Sequence, residues 1–148
     1  MVYLGADHNG FALKEKIKIW LRDWGYEFRD LGAAEFDQGD DFPDFGVPVA
    51  REVARRKGSF GILVCRSGCG MDIVANKVKG VRCILAVNSD QVFHSRKEDQ
   101  VNVLSLPADF ISEKEAKKAV RFFLETEPAL DPRYLRRIEK INQLEKES

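Results

Sequence analysis

The stretch GILVCRSGCGMDIVANK, Gly61 to Lys77, holds the key to the fold. With Phe60 ahead of it, it opens on a continuous apolar run, the pattern of a strand covered on both faces. The run ends on Cys65. Arg66, Ser67, Gly68 and Gly70 follow, and from Gly70 to Lys77 the pattern becomes helical. A buried strand that hands over to a helix through a glycine turn is the unit of a parallel sheet, because parallel neighbours need a crossover between them.

The same alternation extends in both directions. Upstream, VYLGA (2–6) reads as a strand. Phe11 to Trp24 reads as a helix with Leu13, Ile17, Trp20, Leu21 and Trp24 along one stripe, closed by Gly25. YEFRDLG (26–32) reads as a half-exposed strand, and the acidic AAEFDQGDDFPDF (33–45) as a loop. Phe45 to Arg56 returns to a helical pattern. Downstream, VRCILAV (81–87) and VNVLSL (101–106) are strands, and Ser89 to Glu98 and Ser112 to Glu125 are helices. Ser112 and Glu115 stand at capping-box spacing. After EPALDP comes a charged helix, Arg133 to about Glu145. These elements predict a three-layer, Rossmann-like α/β sandwich: a five-stranded parallel sheet with helices on both faces. The core is expected over about residues 1–127. A C-terminal helix over about 132–146, set off by Pro128 and Pro132, is expected to lie partly outside it.

The chain has 148 residues, a length suited to one domain with its own core. Lys plus Arg and Asp plus Glu both number 24, so no overall field draws the molecule to nucleic acid or to an anionic membrane. No apolar run approaches the ~20 residues that span a bilayer. The opening MVYLGADHNG lacks the charged and apolar regions of a signal peptide. Cys65, Cys69 and Cys83 are odd in number and follow no disulfide framework. A reduced, cytoplasmic protein is expected. Cys65 and Cys69 stand at i, i+4 without a further Cys/His cluster, so no metal site is expected.

Ligands of such sheets bind at the carboxyl ends of the strands. Cys65 stands at one of these ends. The N–H groups of the following turn, from about Ser67 to Met71, point back at it and favour negative charge there. Gly68 and Gly70 allow close backbone approach. A sulfur base beside a nest of N–H donors suits proton abstraction next to a carbonyl, where an enediolate must be stabilised. Taken alone, Cys65 is equally readable as an ordinary buried cysteine. In GADHNG, Asp7 and His8 stand just past the first strand, as a turn and helix cap or as ligand contacts. In DPRYLRR, Arg133 and Arg137 share one helix face and could clamp a phosphate, or simply be solvated.

Together these segments resemble the ribose-5-phosphate isomerase B family, which includes the galactose-6-phosphate isomerase subunits. GADHNGFALKEKIKIWL, DDFPDFG, GILVCRSGCGMDIVANKVKGVRCIL, NVLSL and RYLRRIEKI are similar to the family's motifs, in the same order along nearly the whole chain. The resemblance implies a cofactor-independent, metal-free aldose–ketose isomerase of sugar phosphates. It assigns the proton-transferring base to Cys65 and the hydroxyl beside the anion nest to Ser67. It gives substrate contacts to Asp7 and His8 and the phosphate to Arg133 and Arg137; Arg66, Gly68, Gly70 and Met71 are expected substrate contacts from their place in the turn after Cys65. It further implies a homodimer or tetramer whose active sites are shared between chains, with the last helix reaching toward a neighbour.

Four positions depart from the family pattern. Glu98 and Asp99 stand where the family has a His-Asn pair that serves ring opening. Asp109 replaces an arginine, and Arg66 replaces a glycine. Glu98 with His94, at i, i+4, reads either as an acid–base pair for opening the ring or as solvated charge near a helix end. The expected reaction is interconversion of ribose 5-phosphate and ribulose 5-phosphate. A six-carbon sugar phosphate and a catalytically silent sugar-phosphate-binding protein remain as alternatives.

Overall fold

The computed structural model describes all of residues 1–148. Its elements run β1 (Val2–Ala6), α1 (Phe11–Asp23), β2 (Phe28–Asp30), α2 (Pro43–Arg55), β3 (Phe60–Cys65), α3 (Cys69–Asn76), β4 (Cys83–Leu85), α4 (Ser89–Asp99), β5 (Val103–Pro107), α5 (Glu113–Glu125) and α6 (Pro132–Lys146). The five strands form one parallel sheet in the order β2-β1-β3-β5-β4. No helix is long and apolar enough to cross a membrane.

Handedness explains the layers. Right-handed crossovers put a helix on one face when the chain moves one way along the sheet, and on the other face when it reverses. The chain moves one way from β1 to β2 and from β4 to β5, and the opposite way from β2 to β3 to β4. Accordingly α1, α4 and α5 pack on one face, through Ile17, Leu21, Val92, Ala119 and Phe123 against Leu4, Ile62, Val64 and Leu104. On the other face α2 and α3 pack through Val49, Val53, Met71 and Ala75 against Tyr3, Leu63, Cys65 and Val103. The central strands β1, β3 and β5 are buried along nearly their whole length. That is why they read as unbroken apolar runs.

The α1 stripe is as expected, and Gly25, at φ 81°, turns the chain out of the helix. Tyr26 N–H closes onto the Leu21 carbonyl (2.9 Å), the bond that ends a helix in a left-handed glycine cap. Other boundaries move. α2 starts at Pro43 rather than Phe45, because a proline is well suited to a helix's first turn, where its missing N–H costs nothing. α3 starts at Cys69, one residue early, because Gly68 at φ 74° is its cap. β2 and β4 shrink to three residues each, being edge strands with one neighbour apiece. The capping box at α5 is half formed. Ser112 Oγ accepts from Glu115 N–H (3.1 Å), but the Glu115 carboxylate accepts instead from Ser89 N–H (2.6 Å) at the start of α4.

α6 lies back along its own chain rather than standing clear of it. The Glu145 carboxylate accepts from Gly80 N–H (3.0 and 3.2 Å), and Ala129 N–H, just ahead of the helix, donates to the Lys97 carbonyl (2.9 Å). Only Ile138 of this helix is buried, and Leu135, Ile141 and Leu144 stay exposed.

Candidate active site

The connections leaving β1 and β3 diverge, one toward β2 and the other toward β4. That divergence opens a crevice over adjacent strand ends. Ala6 pairs with Val64, so Asp7 and Cys65 stand side by side on strands about 4.8 Å apart. Side chains alternate along a strand, so Asp7 and Cys65 fall on the same face as Tyr3 and Leu63, beneath α2 and α3. Gly10 presses against the Val64 carbonyl, where no Cβ fits, and this brings the start of α1 down onto β3.

Cys65 is buried, 4% exposed, and carries no disulfide. Its carbonyl accepts from Ala108 N–H (2.9 Å), locking the strand end to β5. Beyond it, Gly68 turns the chain into α3, and the buried Ser105 hydroxyl donates to the Gly68 carbonyl (2.6 Å). The α3 ladder begins with Asp72 N–H on the Gly68 carbonyl (3.0 Å), and Cys69 N–H is spent on Ser67 Oγ (3.3 Å). The N–H groups of Gly70 and Met71 therefore precede the ladder, as donors open to an anion.

Packing accounts for two side-chain positions in this turn. At Gly70 the space of the missing side chain is filled from within the protein. A Cβ there would come within 2.7–2.9 Å of the Phe42 ring, so this glycine lets α2 pack on α3. The Met71 side chain is fully buried in the core and can offer a ligand only its backbone.

On the β1 side, Asp7 Oδ1 accepts from Gly10 N–H (3.0 Å), the Asx-type cap. Burial raises the Asp7 pKa, against the opposing pull of that N–H and of His8. The His8 ring and amide both turn to a residue that sequence reading passed over. Asp40 Oδ1 lies 2.7 Å from His8 Nδ1 and accepts from His8 N–H (3.0 Å). Asp40 sits in the acidic loop before α2, where nothing in the local pattern distinguishes it from Asp37 or Asp41. Its hydrogen bond raises the His8 pKa, helped by the nearby charge of Asp7. Asp7, His8 and Asp40 offer ligand atoms within 4.8 Å of one another, a spacing a cation could bridge. The short contact from Nδ1 to Asp40 instead makes the arrangement a hydrogen-bonded dyad.

At the rim, Arg66 Nε donates to Asp109 Oδ2 (3.0 Å), and Asp109 N–H donates to the Arg66 carbonyl (3.0 Å). Two of the residues expected to depart from the resembled pattern, Arg66 and Asp109, are thus paired with each other.

The remaining expected site residues are not brought to Cys65 within one chain. α4 leaves the carboxyl edge of the sheet at Ser89 and returns to the amino edge, where Arg82 Nε donates to the Asp99 carbonyl (2.9 Å). Glu98 and Asp99 thus lie a strand length from Cys65, about 20 Å. His94 Nδ1 and Glu98 Oε1 do meet, at 3.2 Å, on an exposed stretch of helix. Arg133 is exposed and folded onto Asp131 (Nε–Oδ1 3.1 Å, Nη2–Oδ2 2.9 Å), which holds the Asp131 carboxyl down to about 2. Arg137 is exposed one turn further along α6. A cavity of about 520 Å³ opens at this amino edge, but its lining holds no carboxylate, cysteine or histidine. Its arginines serve backbone carbonyls, Arg82 those of Asp99 and Gln100, and Arg96 that of Val101 (2.8 Å).

Residues 2–141 match the Ribose/Galactose Isomerase family model. The probable ribose-5-phosphate isomerase B of Mycoplasma genitalium is 38% identical over 148 residues, covering 99% of this chain and 97% of that one. The Mycobacterium tuberculosis ribose-5-phosphate isomerase B is 35% identical over 145 residues, covering 98% and 90%. Among solved structures, the M. genitalium enzyme with bound ribulose 5-phosphate superposes with a TM-score of 0.94 over 99% of this chain and 97% of that one. The type B ribose 5-phosphate isomerase of Trypanosoma cruzi, 32% identical, also gives 0.94, over 99% of each chain. The chain belongs to the ribose/galactose isomerase family.

Proposed function

We propose that the protein is an aldose–ketose isomerase that interconverts ribose 5-phosphate and ribulose 5-phosphate. The observation that carries this reading is Cys65 beside Asp7 at the β1–β3 crevice, facing a helix start with open N–H groups. In the open-chain aldose phosphate, Cys65 takes the proton from C2. The N–H groups between Ser67 and Met71 hold the enediolate oxygen, the O2 hydroxyl proton passes to O1, and Cys65 returns its proton to C1. Ser67 supplies a hydroxyl beside that nest. Asp7 and His8 contact the sugar, and Arg66 stands at the mouth.

A second copy of the chain completes the site. Arg133 and Arg137 from that copy grip the phosphate, Arg133 exchanging Asp131 for the ligand. Glu98, with Asp99 and His94 nearby, comes from the same copy and moves protons during ring opening. Separation of these residues from Cys65 within one chain supports the shared arrangement.

An isomerase assay across five- and six-carbon aldose phosphates tests the substrate. Turnover confined to six-carbon sugars, or none at all, would overturn the assignment. Cys65→Ser should lower kcat by roughly 10²–10⁴, the range of general-base contributions, with folding intact. Activity retained within about tenfold would remove Cys65 from the mechanism.

A further inference from the structure

We infer that Asp40 is a positioning residue for His8, holding its ring so that a proton-bearing Nε2 is presented to an oxygen of the bound sugar phosphate. This rests on the isomerase reading above and goes beyond it by naming what sets the histidine's orientation and charge.

The geometry is specific. Asp40 Oδ1 receives both the backbone N–H and ring Nδ1 of His8, two contacts that fix the residue at either end of its side chain. A ring nitrogen at 2.7 Å from a carboxylate carries its proton toward that carboxylate, which leaves Nε2 for the ligand. The Asp40 side chain is 7% exposed, whereas His8 is 22% exposed, so the carboxylate is withdrawn and the ring is the more accessible of the two. The second carboxylate oxygen, Asp40 Oδ2, is buried without a protein partner. A buried carboxylate with one oxygen unpaired gains from keeping a cation on the other.

The charged groups acting on the ring are carboxylates from the two loops that surround it. Asp7 lies on its own loop, and Asp37 and Asp40 lie on the loop before α2. All three favour the imidazolium, and its pKa is raised accordingly. The Phe36 ring and the imidazole stand edge to face, their centroids 6.2 Å apart. The dyad thus keeps His8 cationic to higher pH than a free histidine, and a cationic N–H donor binds a phosphorylated sugar more strongly than a neutral one.

The chain has two histidines, His8 and His94, so a titration by long-range 1H–15N NMR resolves both and needs no substrate. In the wild type, His8 should show a protonated Nδ1 in its neutral form, with a midpoint above the ordinary ~6.5. Asp40→Asn keeps an oxygen acceptor and removes the charge. It should bring the His8 midpoint down while leaving that of His94 in place. In the isomerase assay its KM for ribose 5-phosphate should rise roughly tenfold between the two His8 midpoints read from the titration, where the variant's ring is neutral and the wild type's is not, and much less below both, with kcat changed less. Asp40→Glu, which retains the carboxylate, should recover part of the midpoint, and it serves as the second variant if Asp40→Asn fails to fold. An unchanged His8 titration in Asp40→Asn, or a KM ratio flat across pH, overturns the inference. A wild-type protein without turnover would overturn the isomerase reading instead, and the titration would still decide the dyad.

Discussion

Replacing Lys14 by methionine is expected to be costly. The Lys14 side chain is fully buried, yet its amine reaches Asp30 Oδ1 (2.8 Å), Asp30 Oδ2 (2.9 Å) and the Ala33 carbonyl. Methionine fills nearly the same volume, so packing is preserved and the polar loss is isolated. Removing one partner of a buried ion pair costs about 3–5 kcal/mol, because the other charge stays behind. Here Asp30 keeps Lys18 (2.8 Å) and Gly32 N–H (2.9 Å), which places the loss toward the lower end. The abandoned Ala33 carbonyl adds about 1 kcal/mol. A total near 4 kcal/mol is a large share of the about 5–15 kcal/mol that stabilises a domain. At about 2–4 °C per kcal/mol for a chain of this size, the melting midpoint should fall by about 8–16 °C. Urea and thermal unfolding followed by circular dichroism, at one fixed protomer concentration, would measure it. The double variant Lys14→Met/Asp30→Asn should cost less than the sum of the two single variants, since both remove the same Lys14–Asp30 contact. A loss below about 1 kcal/mol, or a double variant worse than the sum of its parts, would refute the reasoning. The pH dependence gives a second check. Burial alone would raise the Asp30 pKa, but Lys14, Lys18 and Gly32 outweigh it and the net shift is downward. A depressed carboxylate contributes stability above its unfolded pKa of about 3.9, and that contribution disappears as pH falls through the lower folded value. The gap between wild type and Asp30→Asn should therefore be full at neutral pH and close only in strong acid.

Gly68→Ala should destabilise by about 2 kcal/mol and reduce turnover, since Gly68 sits at φ 74° and a Cβ would lie 3.2 Å from Pro107 N and 3.3 Å from the Leu106 carbonyl carbon. Unchanged unfolding midpoints with full activity would show that the turn tolerates another conformation. Glu115→Gln should cost about 0.5–1 kcal/mol at neutral pH, the solvent-facing side of the contact being screened. Hydrogen bonds from Ser89 lower the Glu115 pKa, so this contribution is fully present above the unfolded value and is lost as pH falls through the lower folded one. Thermal midpoints of the two proteins should differ at pH 7 and converge only in acid.

Much of this protein was legible in the chain itself. The parallel sheet followed from β3, because a strand buried on both faces leaves an unbroken apolar run that no surface element shows. The α1 stripe and the Gly25 stop were equally local, set by 3.6-residue periodicity and by glycine's access to positive φ. Cys65 was singled out by standing where such a strand meets a glycine turn. Edge strands were overextended because apolar residues next to a single neighbour still look like strand. That the missing side chain of Gly70 is filled by Phe42 and that Met71 is buried in the core are not legible locally, because packing between α2 and α3 depends on residues far apart in sequence. Glu115 reads as the partner of Ser112, its near neighbour, and only the side-by-side packing of α4 and α5 sends it to Ser89. Asp40 was invisible for the same reason. One aspartate in an acidic loop differs from the next only by which of them the fold carries 32 residues back to His8. Local geometry writes itself into nearest neighbours and periods. Pairings across the sheet and its crevices depend on how the elements pack, and only the tertiary structure decides them.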